Sequence, residues 1–150
     1  MTWQKLAQKG LLKKEKISFE QIAKVLERAS ENIKSAQLLF EHDHEESAFQ
    51  FAYQAMLLAG RALVFSFGFR PRTVGSHRIV IEFTKSILGE EYQVLSERFN
   101  RLRKKRHYII YGAGLTISKT EAENAIALAK EFIAKVQEII QEKNLQKQLL

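Results

Sequence analysis

Apolar residues recur at intervals of three and four through most of the chain, a spacing typical of amphipathic helices. The second long segment is apolar nearly all round and rich in alanine, which predicts the most buried helix. No segment shows the alternation expected of a strand. The sequence therefore predicts an all-α fold, an up-and-down antiparallel bundle of four or five helices. The main helices are expected near residues 18–40, 45–67, 76–88, 92–111 and 118–140, after a short helix around Trp3 and Leu6.

Serine residues mark the expected starts of three helices. Ser18 with Gln21 forms a capping-box pattern, in which the hydroxyl and the amide side chain satisfy free backbone N–H groups. Ser118 with Glu121 forms a second such pattern, and Ser76 is expected to cap the shorter third helix. These positions fix where the bundle helices begin.

The length of the chain, 150 residues, suits one domain with a sizeable core. We expect a basic lead-in over residues 1–17, a helical bundle over 18–141 and a frayed tail over 142–150. There is no cysteine, so disulfides and cysteine-ligated zinc are excluded.

The formal net charge of +7 favours an anionic partner such as RNA, DNA or a nucleotide. The longest apolar segment, residues 48–69, is interrupted by Gln50, Gln54 and Arg61. A buried central helix explains it better than a membrane span, and no membrane association is predicted. The N-terminal residues lack the apolar run of a signal peptide, so a cytoplasmic location is expected.

Arg106 is the most informative single residue. On a helical wheel it falls between Leu102 and Ile109, inside the apolar stripe of the fourth main helix. Burying a guanidinium beside aliphatic side chains is costly unless it is paired or hydrogen-bonded. Two explanations are open: a structural ion pair with another helix, or a recessed arginine between helices that binds phosphate.

The densest cationic run surrounds this arginine and also has two explanations. It is either a solvated helix face or a phosphate-binding ridge with Arg106 at its recessed end. We favour the ridge, because the net charge and the position of Arg106 agree. His77, at the start of the third helix, is a further candidate phosphate contact. The ridge candidates are Arg101, Arg103, Lys104 and Lys105.

Metal and cofactor sites are not predicted. His42 and His44 lie in an acidic turn, but their spacing matches no common ligand pattern. The chain contains no glycine-rich phosphate loop before a helix, no GxSxG motif and no HExxH motif. We therefore expect neither a metal nor a cofactor.

Two segments together resemble the HEPN domain family, over roughly residues 18 to 140. AFQFAYQAMLLAGRALVFSFGFRPRTVGSHRIVIEF resembles the family's alanine- and aromatic-rich second helix, with its turn and following histidine. LRKKRHYIIYG, followed by the ISKTEAENAIALAKEFI helix, resembles the family's arginine motif. The resemblance implies a helical bundle that forms a homodimer. It also implies a metal-independent endoribonuclease, often a toxin whose antitoxin partner is a small nucleotidyltransferase.

The family motif is an arginine, a polar residue directly after it, and a histidine four to six positions on. Arg106 with His107 in the polar slot matches best, but Tyr111 stands where the catalytic histidine is expected. Tyrosine, with an ordinary pKa of about 10, is a poorer proton acceptor near neutral pH than histidine. Arg101 with His107 satisfies a looser spacing, although the two lie about 120° apart on the wheel.

The resemblance implies two functions, and a purely structural bundle that only mediates assembly is a third, weaker alternative. In the first, the protein binds RNA and cuts it, with Arg106 holding the scissile phosphate and His107 assisting attack by the 2′-hydroxyl. In the second, it is a non-catalytic nucleotide- or RNA-binding partner of a nucleotidyltransferase, and Tyr111 resembles the tyrosine that such a partner adenylylates.

Overall fold

The computed structural model describes residues 1–112 and 116–149. It confirms the predicted all-α fold, to which a two-stranded sheet of three-residue strands is added. The elements in chain order are α1 (Trp3–Gln8), β1 (Leu12–Lys14), α2 (Phe19–Glu41), α3 (Glu45–Ser66), β2 (Phe69–Pro71), α4 (Ser76–Leu88), a 3₁₀ turn (Glu90–Tyr92), α5 (Gln93–Ile110) and α6 (Lys119–Leu149).

Helix α3 lies at the centre of the molecule, as its composition predicts. It packs against α2, α4, α5 and α6, and α2 and α6 also contact each other. By length and composition alone α3 could cross a membrane, but 72% of its most apolar 18-residue window is buried inside the protein. The apolar character of α3 is therefore explained by its place in the core.

A close approach between α3 and α4 depends on Gly60. A Cβ atom added at Gly60 would lie 2.4 Å from Cγ1 of Val80, far closer than carbon atoms pack. Val80 is on α4, three residues after His77, so this contact fixes where the start of α4 sits relative to α3. A glycine in the middle of a helix is disfavoured on its own, and here the close packing explains it.

Two of the three predicted helix starts are confirmed. Ser18 and Gln21 form a capping box, and the hydroxyl of Ser118 accepts a hydrogen bond from the backbone N–H of Glu121. The prediction that Ser76 caps α4 is wrong. Gly75 is the capping residue, with a left-handed backbone (φ +72°), and Ser76 is already the first residue of the helix.

The N-terminal segment packs onto the bundle through aromatic contacts and the small sheet. The ring of Trp3 lies 5.6 Å from that of Phe67 and 5.8 Å from that of Phe69. Strand β1 pairs antiparallel with β2, with Lys13 opposite Arg70. At the other end of the chain, α6 continues to Leu149 through the segment predicted to be a tail. The three-part division of the chain remains a prediction.

Candidate functional site

Arg106 faces the centre of the bundle. Its side chain is half-buried, and its guanidinium carbon lies 5.5 Å from the centre of the Tyr53 ring. Tyr53 is on α3 and is fully buried. On α5 itself, Leu95 and Phe99 are buried on the side that carries Arg106, as the apolar stripe requires. A guanidinium over an aromatic face gains a cation–π attraction that partly offsets its loss of water.

Tyr53 is held in place by a hydrogen bond across the bundle. Its hydroxyl lies 3.0 Å from Nδ1 of His77, the second residue of α4. Burial raises the pKa of Tyr53 to about 12, although the nearby arginines, Arg106 first among them, oppose this shift. Tyr53 is therefore neutral near pH 7, and its ring has one fixed orientation beneath Arg106.

His77 is also neutral near pH 7. Burial, followed by the charges of Arg106, Arg61 and Arg103, lowers the pKa of His77 to about 4. The neutral imidazole adds no positive charge to the site, but it can exchange hydrogen bonds with a ligand as well as with Tyr53. Its predicted role as a phosphate contact stays a prediction.

Three arginines lie near enough to Tyr53 and His77 to shift the pKa of both, and none of them has an acidic partner among the described residues. Arg61 projects from α3, and Arg103 and Arg106 project from α5; all three are half-buried. Within residues 1–112 and 116–149, no carboxylate oxygen lies within 4.0 Å of their guanidinium groups. Arg103 donates from Nε to Oδ1 of Asn100 at 3.0 Å, which is a neutral partner. We call Arg61, Arg103 and Arg106 the arginine cluster.

Of the arginine cluster, Arg106 borders a shallow, open cleft of about 210 Å³. Arg106 lines this cleft together with Gln50, Phe51 and Gln54 of α3. A clustering of like charges that lacks a carboxylate is electrostatically unfavourable by itself. An anion in the cleft would relieve that repulsion and could accept two parallel hydrogen bonds from a guanidinium.

The opposite side of α5 is exposed and carries two of the predicted site residues, His107 and Tyr111. The rings of His107 and Tyr111 lie 4.6 Å apart between centres and are tilted by 47° to each other, and the ring of Tyr108 lies 6.0 Å from that of His107. Successive residues of a helix point about 100° apart, so Arg106 turns inward where His107 turns outward. The structure thus brings His107 and Tyr111 together but places Arg106 on another face.

The cationic ridge is divided between several environments. Nζ of Lys105 lies 2.9 Å from a carboxylate oxygen of Glu121 on α6, and Lys105 lowers the pKa of that carboxyl. Arg101 and Lys105 line a cleft of about 440 Å³ between α5 and α6, whose floor includes Leu102. Lys104 is exposed, with no ion pair among the described residues. The predicted ridge is therefore not one uniform surface.

Sequence comparison identifies the family. The profile of the HEPN domain matches residues 22–139. The chain belongs to the HEPN domain family. A relative from Methanocaldococcus jannaschii, named "Putative toxin MJ0605", is 29% identical over 127 residues, which cover 82% of this chain and 91% of the relative.

All residues of the arginine cluster lie inside the matched HEPN region, as do Tyr53 and His77. Tyr53 and Arg61 are not among the site residues predicted from the sequence. Arg61 could have been found because it is a charged residue within the most apolar helix. The sequence prediction treats it only as a break in the apolar segment 48–69. For Tyr53 no signal existed, because a tyrosine among alanines is indistinguishable from an ordinary core residue.

The acidic turn between α2 and α3 shows no sign of ligand chemistry. A carboxylate oxygen of Asp43 lies 2.9 Å from Nζ of Lys119, at the start of α6. Across the described parts of the chain, no three histidine or acidic side chains come together in a way that could hold a metal ion.

Proposed function

We propose that this HEPN protein binds RNA and that the arginine cluster holds one of its phosphates. The observation that carries the proposal is the half-buried position of Arg106 over Tyr53, beside two further arginines and with no carboxylate partner among the described residues. A recessed guanidinium with fixed orientation suits bidentate binding of a phosphate. The start of α4, with His77, adds the positive end of a helix dipole.

RNA is favoured over a small anion because positive charge continues beyond the cluster. The net charge is +7, and α5 carries no acidic residue from position 98 to its end. A polyanion can contact the recessed cluster and the exposed cations at once and releases counterions from each phosphate it places there. A single small anion would use only the cluster.

Cleavage is the sharper form of this proposal. Arg106 would stabilise the charge that develops on the phosphate, while His107 takes the proton of the attacking 2′-hydroxyl. Within one chain these two side chains face different directions. The mechanism therefore requires a homodimer in which His107 of one copy reaches the arginine cluster of the other. Phe51 and Ile110 are exposed apolar residues near Arg106 and are candidates for the contact between the two copies. The toxin name of the relative supports the same proposal.

The second candidate is a non-catalytic partner of a nucleotidyltransferase. One observation favours it: the side chain of Tyr111 is 75% exposed, so its hydroxyl is open to modification by another enzyme. In this function the arginine cluster binds RNA or nucleotide, and a nucleotidyltransferase antitoxin acts on Tyr111.

The test combines binding, cleavage and modification. Purified protein is mixed with labelled RNA at low salt in the presence of a metal chelator. The nuclease function predicts cleavage that His107→Ala and Arg106→Met both abolish, with light scattering showing a dimer. The accessory function predicts binding without cleavage, and modification by the partner enzyme that Tyr111→Phe blocks. Absence of RNA binding by the wild-type protein at low salt contradicts the proposal as a whole.

A further inference from the structure

One exposed side of α5 carries two positive charges followed by aromatic rings. Positions 101, 104, 108 and 111 are separated by steps of three and four, so they lie along one side of the helix. At about 1.5 Å per residue they extend over roughly 15 Å. We call this surface the outer face of α5; its members, all exposed, are Arg101, Lys104, His107, Tyr108 and Tyr111.

The rings of the outer face are unusually open for their size. Tyr108 is 52% exposed and Tyr111 is 75% exposed. His107 lies between them, with its ring 6.0 Å from that of Tyr108 and 4.6 Å from that of Tyr111. A single exposed tyrosine needs no explanation, but neighbouring exposed rings on one helical turn indicate a binding surface.

We propose that the outer face of α5 binds unpaired nucleobases by stacking them on Tyr108 and Tyr111, while Arg101 and Lys104 contact the neighbouring phosphates. The inference rests on the proposed RNA function and specifies the form of RNA that is bound. Aromatic faces can stack only on bases whose own faces are free, as in single strands and loops. Paired bases inside a duplex do not offer those faces.

The competing occupant is the outer face of a second copy of this chain, and charge argues against that face-to-face contact. The dimer proposed for cleavage differs from it, because there His107 meets the arginine cluster of the other copy. A two-fold contact through the outer face would place Arg101 and Lys104 against their own equivalents. No acidic residue lies on α5 beyond Glu97, so the far part of the face has nothing to offset that repulsion. A polyanion that presents both phosphates and rings complements the face without this cost.

The experiment compares single-stranded and duplex RNA with the full-length protein. The probe is a mixed-sequence oligonucleotide of about twelve residues with 2-aminopurine at its centre, because stacking quenches the fluorescence of this base. All its riboses are 2′-O-methylated, so no 2′-hydroxyl can attack. The test variant is Tyr108→Leu with Tyr111→Leu, the ring-restoring variant is the matching pair of phenylalanines, and Leu38→Ala is an exposed apolar control on α2.

The wild-type protein is expected to bind the single strand more tightly than the duplex and to quench 2-aminopurine. The leucine pair should weaken single-strand binding by about 5-fold or more for each stack lost and abolish the quenching. The phenylalanine pair should recover most of the lost affinity, and Leu38→Ala should match the wild type. Circular dichroism of each variant verifies that the helices remain.

Three results overturn the inference, and they differ from one another. If the wild type binds RNA and the leucine pair binds it equally well, stacking is wrong while the proposed function stands. If the wild type binds neither probe, the RNA function fails and stacking fails with it. If the leucine pair halves the mass measured by light scattering, and the loss of RNA affinity is fully explained by this loss of the dimer, the outer face is a contact between copies.

Discussion

The two sides of α5 carry similar charges in different surroundings. On the inner side, Arg103 and Arg106 are half-buried, and Arg106 lies over the fixed ring of Tyr53. On the outer side, Arg101 and Lys104 extend into solvent. Electrostatic interactions strengthen where water is excluded and weaken where salt can screen them. This difference supports the proposal that the inner side is a specific anion site and the outer side an extended, salt-sensitive surface.

The largest effect on function is expected from Arg106→Met. Losing a charge-assisted contact with phosphate should weaken RNA binding by about 10- to 100-fold. The free energy of unfolding should change little or rise, because Met keeps the apolar contacts and removes a charge that has no acidic partner among the described residues. Filter binding and urea denaturation measure the two effects. A destabilised variant with unchanged RNA affinity would assign Arg106 a purely structural role.

Gly60→Ala should displace the residues that surround Arg106 on the inner side of α5, while the exposed outer face of α5 should stay unchanged. The new Cβ atom meets Cγ1 of Val80 at 2.4 Å, so α4 must move away from α3 and carries His77 with it. Overpacking of this kind costs about 1–3 kcal/mol of unfolding free energy. Denaturant unfolding measures the loss.

The matched control for that substitution is Val80→Ala, alone and combined with Gly60→Ala. Because Val80→Ala removes the atom that clashes, the double variant should lose less stability than the sum of the two single variants. Additive losses would show that the close approach of α3 and α4 is not what Gly60 provides.

Helices were predictable because their signals are local. The apolar spacing and the serine at position 18 each depend on residues within a few turns of one another. The strands β1 and β2 were not predictable, since three residues are too few to show alternation and their partner lies more than fifty positions away. Ser76 was misassigned because the preceding Gly75 takes the left-handed backbone that sets the start of α4.

The site was predictable only in part, for a related reason. The recessed position of Arg106 follows from its place on the helical wheel. Tyr53 and His77, on which Arg106 and Arg61 both act, come from α3 and α4, and no pattern in the sequence indicates which core side chains meet across the bundle. The sequence analysis also grouped Arg106 with His107 in one motif, whereas helical geometry turns them to different sides of α5.

The buried position of His77 predicts a pH dependence of stability. The pKa of His77 is about 4 in the folded protein, against about 6.5 for an unperturbed histidine. Between these values the unfolded chain takes up a proton at His77 and the folded protein does not. The free energy of unfolding should therefore fall as the pH is lowered from about 6.5 to about 4.

Replacing His77 isolates this contribution. In His77→Gln the loss of stability over that pH range should be smaller, while an amide remains to bond the hydroxyl of Tyr53. In Tyr53→Phe the low pKa of His77 should largely persist, because burial is its largest cause. Urea denaturation at several pH values and NMR titration of the imidazole provide the measurements. An imidazole that titrates near pH 6.5 would contradict the buried, neutral His77.

The smallest expected effects separate two adjacent lysines. Lys104 is exposed and without an ion pair among the described residues, whereas Nζ of Lys105 is 2.9 Å from Glu121. Because a phosphate must compete with that carboxylate for Lys105, Lys104→Gln should reduce the dependence of log K on log salt by about 0.7, and Lys105→Gln by less. Lys105→Gln should also cost at most about 1 kcal/mol of stability, since surface ion pairs contribute little.

Lys34→Gln is the control for the change in net charge, because it removes one positive charge from an ion-paired lysine on α2. Anisotropy titrations over a range of salt concentrations measure the slopes. Equal reductions for Lys104→Gln and Lys105→Gln would mean that the contact with Glu121 does not hold in solution, and a slope unchanged in both would leave the outer face as a solvated surface.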